Sequence, residues 1–325
     1  MNNHKLILLK MDQSYDISKM SADLQWRDNI DTLGMNLSFS KAQSLEKYIP
    51  KYRCEPGDKL LLMNDTDEIF RGIVVDNGFD KYSDSINAFD FAFYLNENDD
   101  IIQFKNIRAD DAIKKLCSKH GVPVGSIAGM ATKIKKIYKN KVSDIMKDIL
   151  EQVENESGKK YRLEMRAGKL FIEEYMTIEV KGSFKPAANL GAIDIRTTPE
   201  ILSIQRSITG MKNNIIVSNG ENKILAKAKN QSSVNIFGLL QEVIEVDEKT
   251  NAAKARTIAN NNLKSKNKIS RVIKCRMLGD DNVRSGRIMV LNIADYGIVG
   301  KYLIHDCMHS LNSGIHTMEL ELEEI

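Results

Sequence analysis

The chain has 325 residues, with 47 Lys+Arg against 44 Asp+Glu and a formal charge of +3. That balance excludes a protein driven by bulk attraction to a polyanion. Hydrophobic residues make up 42% and charged residues 28%, the composition of a globular chain with material for two or three domains. No apolar run approaches the ~20 residues of a membrane span. The longest near the start, Leu6-Ile7-Leu8-Leu9 before Lys10, is also shorter than a signal-peptide core. The expectation is synthesis in the cytosol without membrane contact. The four scattered cysteines, Cys54, Cys117, Cys275 and Cys307, then read as buried thiols rather than a disulfide framework.

Residues 1–100 read as short strands. Met35 to Phe39 alternates, Lys59 to Met63 and Ile69 to Val75 are compact apolar runs, and Gly57-Asp58, Asn64-Asp65 and Asn77-Gly78 punctuate them as turns. Asp90 to Leu95, with Phe91, Phe93 and Leu95 on one alternating face, predicts a closing strand. This spacing predicts a small β-barrel or sandwich.

Residues 101–185 change character. Ile113, Leu116 and Cys117 predict an amphipathic helix from Ala109 to His120, with Asp110 and Asp111 in its first turn and Gly121 past its end. Val142, Ile145, Met146, Ile149, Leu150 and Val153 predict a second helix that Gly158 stops. A hairpin follows, Tyr161 to Met165 out and Leu170 to Tyr175 back, turning at Ala167-Gly168. The segment reads as a compact α/β module.

The third block repeats the first. Shifted by 229 positions without a gap, the pattern of 57–93 falls on 286–322: Gly57 meets Gly286, Leu60-Leu61-Leu62 meets Met289-Val290-Leu291, and Ile73-Val74-Val75 meets Tyr302-Leu303-Ile304. A polar stretch, Ser218 to Asn235, then Val246 to Lys249 and a helix over Ala252 to Leu263, reads as an insertion at 218–267. The predicted fold is α+β and mainly β. Two related antiparallel β-barrel domains (1–100, then 186–217 with 268–325) flank the α/β module, and the second carries the insertion with one helix.

Catalytic chemistry is missing. There is no Walker loop, no dinucleotide-type GxGxxG and no GxSxG elbow. One cluster has ligand chemistry: His305, Cys307 and His309 share a face if the strand is regular, and His316 lies on the returning strand. No carboxylate can be placed behind them from sequence, so no metal and no cofactor are expected. Lys133, Lys135, Lys136, Lys139 and Lys141 suit phosphate, but no aromatic platform accompanies them, so a solvated surface linking two elements is expected. The acidic pairs Glu173-Glu174 and Glu323-Glu324 lack a shielded partner. A metal-dependent cell-wall hydrolase built on His305, Cys307 and His309, or an OB-type nucleic-acid binder using the lysines, are the alternative readings.

A series of motifs spans nearly the whole chain. Trp26, Leu33, Leu37 and Phe39 open it, followed by Pro56-Gly57-Asp58-Lys59-Leu60, Phe70-Arg71-Gly72-Ile73-Val74, Tyr94-Leu95-Asn96 and Lys105-Asn106. Leu278-Gly279-Asp280, Val283-Arg284-Ser285-Gly286, Gly300-Lys301-Tyr302, His309 and Gly314-Ile315-His316-Thr317-Met318-Glu319-Leu320 close it. In this order they resemble the YqbQ/XkdQ-type baseplate hub proteins of contractile phage tails and phage-like particles. Those are relatives of late control protein D and of the hub part of the type VI secretion spike protein. The resemblance implies a structural protein without an active site. It implies a homotrimer that joins a hexameric tail tube protein to a central spike protein. Other baseplate proteins are implied as neighbours, a LysM-containing one and the tape measure protein among them. Specific nucleic-acid binding is not implied. It also implies assembly into the baseplate of a phage or phage-derived bacteriocin, released by lysis. Arg287 follows Gly286 where Asp58 follows Gly57, so the second turn departs from the first.

Overall fold

The structure is a computed structural model that describes residues 3–11, 13–43, 52–175, 177–181, 183–184, 191, 193–194, 196, 199–219, 223–246 and 250–325. The approach to the insertion helix at 247–249 and part of the polar stretch, 220–222, lie outside them.

The first block holds β1 (His4–Lys10), β2 (Gln13–Asp16), β3 (Ser21–Asn29), β4 (Met35–Ala42), β5 (Lys59–Asn64), β6 (Asp67–Phe79) and β7 (Ser83–Asp90). The module holds α1 (Phe93–Glu97), β8 (Asp99–Arg108), α2 (Ala109–Lys119), β9 (Val124–Ile127), β10 (Lys133–Lys141), α3 (Val142–Ser157), β11 (Tyr161–Arg166) and β12 (Lys169–Glu174). Then come β13 (Glu179–Val180), β14 (Ser183–Phe184), β15 (Ile193–Asp194) and β16 (Glu200–Ser207). Next are β17 (Asn214–Asn219), β18 (Ile224–Lys229), α4 (Gln231–Phe237), β19 (Gln241–Val246) and α5 (Ala252–Lys266). The chain closes with β20 (Ser270–Leu278), β21 (Ile288–Ile293), β22 (Ile298–Asn312) and β23 (Ile315–Glu324).

The strands of both β blocks join in one 13-stranded sheet. Its order contains the same path twice, β3-β4-β7-β6-β5-β1 and β16-β20-β23-β22-β21-β13, with β1 antiparallel and β13 parallel to its neighbour. The two halves meet where β22 pairs with β3. Two separate barrels were expected; among the described residues neither half closes on itself, and the sheet runs on from one repeat into the other.

Hydrogen bonds make the repeat specific. Gly57 N donates to Val74 O and Val74 N to Asp58 O; Gly286 N donates to Ile304 O and Ile304 N to Arg287 O. Both glycines have positive φ, +94° and +76°, a conformation in which a Cβ is strained. The departure at Arg287 therefore leaves the turn intact. Register shows where the ungapped match drifts: Val74 pairs with Ala88 and Ile304 with Leu322. The β22–β23 hairpin is longer than β6–β7, and it closes on Ser313-Gly314, both at positive φ, as a tight two-residue hairpin demands. Each repeat packs its own core: Leu8, Trp26, Leu37, Leu60, Val74 and Ile86 in the first, and Ile273, Met289, Tyr302, Ile304, Leu320 and Leu322 in the second.

Three expectations are corrected. The strand ends at Asp90 and 93–97 is helical, because the Asp90 carboxylate accepts from Ala92 N (2.9 Å) and Met35 N (2.7 Å) and turns the chain. The lysine run is no linker: it is β10, paired along its length with β8, with Ile134 and Tyr138 buried and its lysines outside. The material between β16 and β20 has its own three-stranded sheet and two helices. Ile215 and Val217, which read as the preceding barrel strand, pack against Ala255, Ile258 and Ala259 of α5.

Candidate functional site

The joint between the repeats gathers a cluster of buried polar residues. On β3, Trp26 is 1% exposed and stacks on His309 of β22, ring centroids 5.0 Å apart and nearly parallel. His4 of β1 and His316 of β23 flank the same indole at 5.4 and 5.0 Å. Asp281, in the loop after β20, reaches His4 Nε2 at 3.1 Å and is held by Asn64 Nδ2 at 2.7 Å.

The tautomers follow from the partners. His309 Nε2 lies 2.8 Å from Val283 O, and a carbonyl only accepts, so Nε2 carries the proton. The bare His309 Nδ1 then accepts from His316 Nε2 at 3.0 Å. Burial keeps both rings neutral: it pushes His309 down and His316 to about 3, with His309 and His4 acting in the same direction on His316 and Asp281 opposing.

Of the residues singled out from sequence, the fold brings together Cys307, His309 and His316 and separates His305. A bulge between Ile304 and Asp306 rotates His305 away, to within 3.4 Å of Asp31. The same bulge marks where β22 leaves β21 and takes up β3. His316 stands opposite Leu311, so His309 is its diagonal neighbour. His4 and Asp281 carried no sequence signal, being isolated polar residues 277 positions apart.

A second buried cluster ties the module to the second repeat. Glu164 of β11 receives Arg162 at 2.7 Å, Arg284 at 2.9 Å and Arg287 at 2.8 Å. Arg284 is also 3.5 Å from Asp28, whose carboxylate accepts from Ser285 N and Oγ. Burial alone would raise the Glu164 carboxyl, but Arg284, Arg287, Arg162 and Arg166 outweigh it and hold it at about 2.

The polar face of β23 is not bare acid. Glu319 and Glu321 sit opposite Arg276 and Lys274, at 2.5 and 3.0 Å. On β10, Lys136 faces Asp148 at 2.8 Å. All four cysteines are buried and unbridged, and burial raises the thiols of Cys54 to about 11 and of Cys117 and Cys275 to about 12. The native protein is therefore expected to give no fast thiol reaction with Ellman's reagent at pH 8, and four thiols on unfolding. A fast native reaction would contradict this packing.

Cys307 Sγ lies 3.1 Å from His309 Nε2, but burial raises the thiol and Nε2 already donates to Val283 O; among the described residues no helix is long and apolar enough to cross a membrane. The chain is 27% identical to the phage-like element PBSX protein XkdQ of Bacillus subtilis (strain 168) over 277 residues, covering 84% of this chain and 83% of the relative. Among solved structures, the prophage MuSo2 43 kDa tail protein from Shewanella oneidensis superposes with a TM-score of 0.69 at 11% identity, covering 98% of each chain. A tail protein from Neisseria meningitidis MC58 follows with 0.67 at 13% identity, covering 99% of this chain and 96% of that one. The family model described as YQBQ-like matches residues 24–323. With the doubled sheet and a family model that covers residues 24–323, the chain belongs to the YQBQ-like family and shares its fold with these phage tail proteins.

Proposed function

We propose that this chain is a baseplate hub, three copies of which close a ring of six near-equivalent sheet sectors between a hexameric tail tube and a threefold spike. The observation that carries the reading is the doubled strand order, with one joint made inside the chain and its counterpart unpaired among the described residues. Inside the chain, β22 beyond its bulge pairs with β3. The equivalent stretch of the first repeat is β6 beyond its own bulge at Val75, and the equivalent of β3 is β16. Among the described residues β16 pairs only with β20, and β6 only with β5 and β7.

Transferring the register places Ile204 of one copy opposite Phe79 of the next, where the chain itself sets Trp26 opposite His309. The internal pair is fully buried, whereas Phe79 is 78% and Ile204 38% exposed, with Leu202 and Tyr82 exposed beside them. Apolar side chains on an edge strand are a template for pairing with another chain. A head-to-tail contact of this kind must close or grow into a filament. Six sectors from three chains close against a sixfold tube. Tail tube, spike and other baseplate proteins, a LysM-containing one and the tape measure protein among them, are the partners of this reading. The baseplate of a phage or phage-like particle is its place.

Averaged electron microscopy of the particle that carries this chain is the test. Three copies in one layer, with 200–207 of one hydrogen-bonded to 76–79 of the next, are expected. Two or six copies in that layer would refute it.

A further inference from the structure

The joint brings two imidazoles and a carboxylate, from β1, β23 and the loop after β20, within ligand distance of one another. We propose that His4 Nε2, the Asp281 carboxylate and His316 Nε2 form a zinc site that staples the first repeat to the second. The ligand atoms of His4, Asp281 and His316 all lie within 4.8 Å of one another. Neighbouring gaps are 3.1 Å from His4 to Asp281 and 3.9 Å from Asp281 to His316. A tetrahedral zinc with bonds of about 2.0–2.1 Å sets its ligand atoms roughly 3.3 Å apart, within the range of these gaps. Two imidazoles and one carboxylate suit zinc better than magnesium or calcium.

The supporting shell is a backbone carbonyl, an imidazole and a side-chain amide, groups that orient metal ligands. Val283 O accepts from His309 Nε2 and so turns a bare Nδ1 toward His316 Nε2. Asn64 Nδ2 donates to Asp281 Oδ2 and fixes the carboxylate. Trp26 covers His309, His4 and His316 with its indole face, which shields the site from bulk solvent. Gly279 packs so closely that a Cβ there would lie 2.2 Å from the His316 ring, leaving the imidazole one position. The sequence expectation of no metal rested on the lack of a carboxylate behind the histidines. Asp281 supplies it, from a loop that only the folded sheet brings to His4.

Three protein ligands leave the fourth position of a tetrahedral zinc to a water. Cys307 is not a ligand. Its sulfur lies 3.1 Å from His309 Nε2, the nitrogen turned away from the site. In the metal-free state His316 Nε2 donates to His309 Nδ1. The chain is therefore able to fold with the site empty, and zinc makes the joint harder to open.

The test is metal content. The full chain is equilibrated with zinc sulfate, desalted and analysed for metal by mass spectrometry. About one zinc per chain is expected, falling to background in His4→Gln and Asp281→Asn and unchanged in His305→Gln. Cobalt(II) in place of zinc should give the intense visible bands of a four-coordinate site without a thiolate charge-transfer band. Chelation should lower the denaturation midpoint of the wild type and not that of either variant. Wild-type protein that retains no zinc after desalting overturns the proposal whether or not the variants fold. Equal retention in both folded variants, or a thiolate band lost in Cys307→Ser, overturns it as well.

Discussion

Phe79→Asp is expected to leave the isolated chain as stable as the wild type and to remove it from assembled particles. Phe79 is 78% exposed in the single chain, so a carboxylate there is fully hydrated and surface substitutions of this kind change stability little. In the proposed ring the same position faces Ile204 of the next copy, and a carboxylate buried against it without a partner costs about 1–3 kcal/mol. Each ~1.4 kcal/mol is tenfold in an equilibrium constant, so three such joints weaken ring closure by at least about a hundredfold. Ile204→Asp should behave alike, and Phe79→Asp combined with Ile204→Lys should regain part of the assembly as an opposite-charge pair across strands. The readout is the amount of this chain in purified particles beside the denaturation midpoint of the free chain. Normal incorporation of Phe79→Asp would exclude this edge from the contact.

Glu164→Gln should be the most destabilising single substitution at the contact between the module and the second repeat. The carboxylate is buried at 5% exposure under three arginines within 3 Å. Breaking a buried ionic cluster by removing one partner costs about 3–5 kcal/mol, because the remaining charges stay buried and uncompensated. Its pH dependence has a definite sign. A carboxyl held at about 2 in the folded chain, below its ordinary value of 4.5, adds stability that is complete above the ordinary value. That stability is lost as pH falls through the folded value. Wild-type stability should therefore decline between about pH 4.5 and 2, and Glu164→Gln should flatten that slope. Asp90 acts in a separate window: burial raises it to about 7 against the Met35 and Ala92 N–H groups, so it costs stability as pH rises toward that value. Urea titrations across pH check both. An unchanged acid slope in Glu164→Gln would show that other carboxylates carry it.

Local periodicity made much of the chain legible. The 3.6-residue spacing of Val142 to Val153 and of Ile113 to Cys117 fixed α3 and α2, and the alternation around Ala167-Gly168 fixed the β11–β12 hairpin. The strand and turn spacing after Gly57 and Gly286 exposed the repeat, because each glycine opens the same hydrogen-bonded turn. Sequence alone also indicated that the cysteines are buried.

Only the tertiary structure decided the rest, for reasons that periodicity does not carry. Alternation over 90–95 gave way to helix once the buried Asp90 carboxylate took the Ala92 N–H. β10 shows only Ile134 and Tyr138 to the core, too few apolar residues to read as a strand without its partner β8. A bulge is one unpaired residue, invisible in a single strand, yet it sent His305 outward and let β22 change neighbours from β21 to β3. That change of neighbours brings His4, 277 positions away, to Asp281. Spacing fixed the two repeats; their joint exists only because long-range strand pairing places residues that share no local pattern.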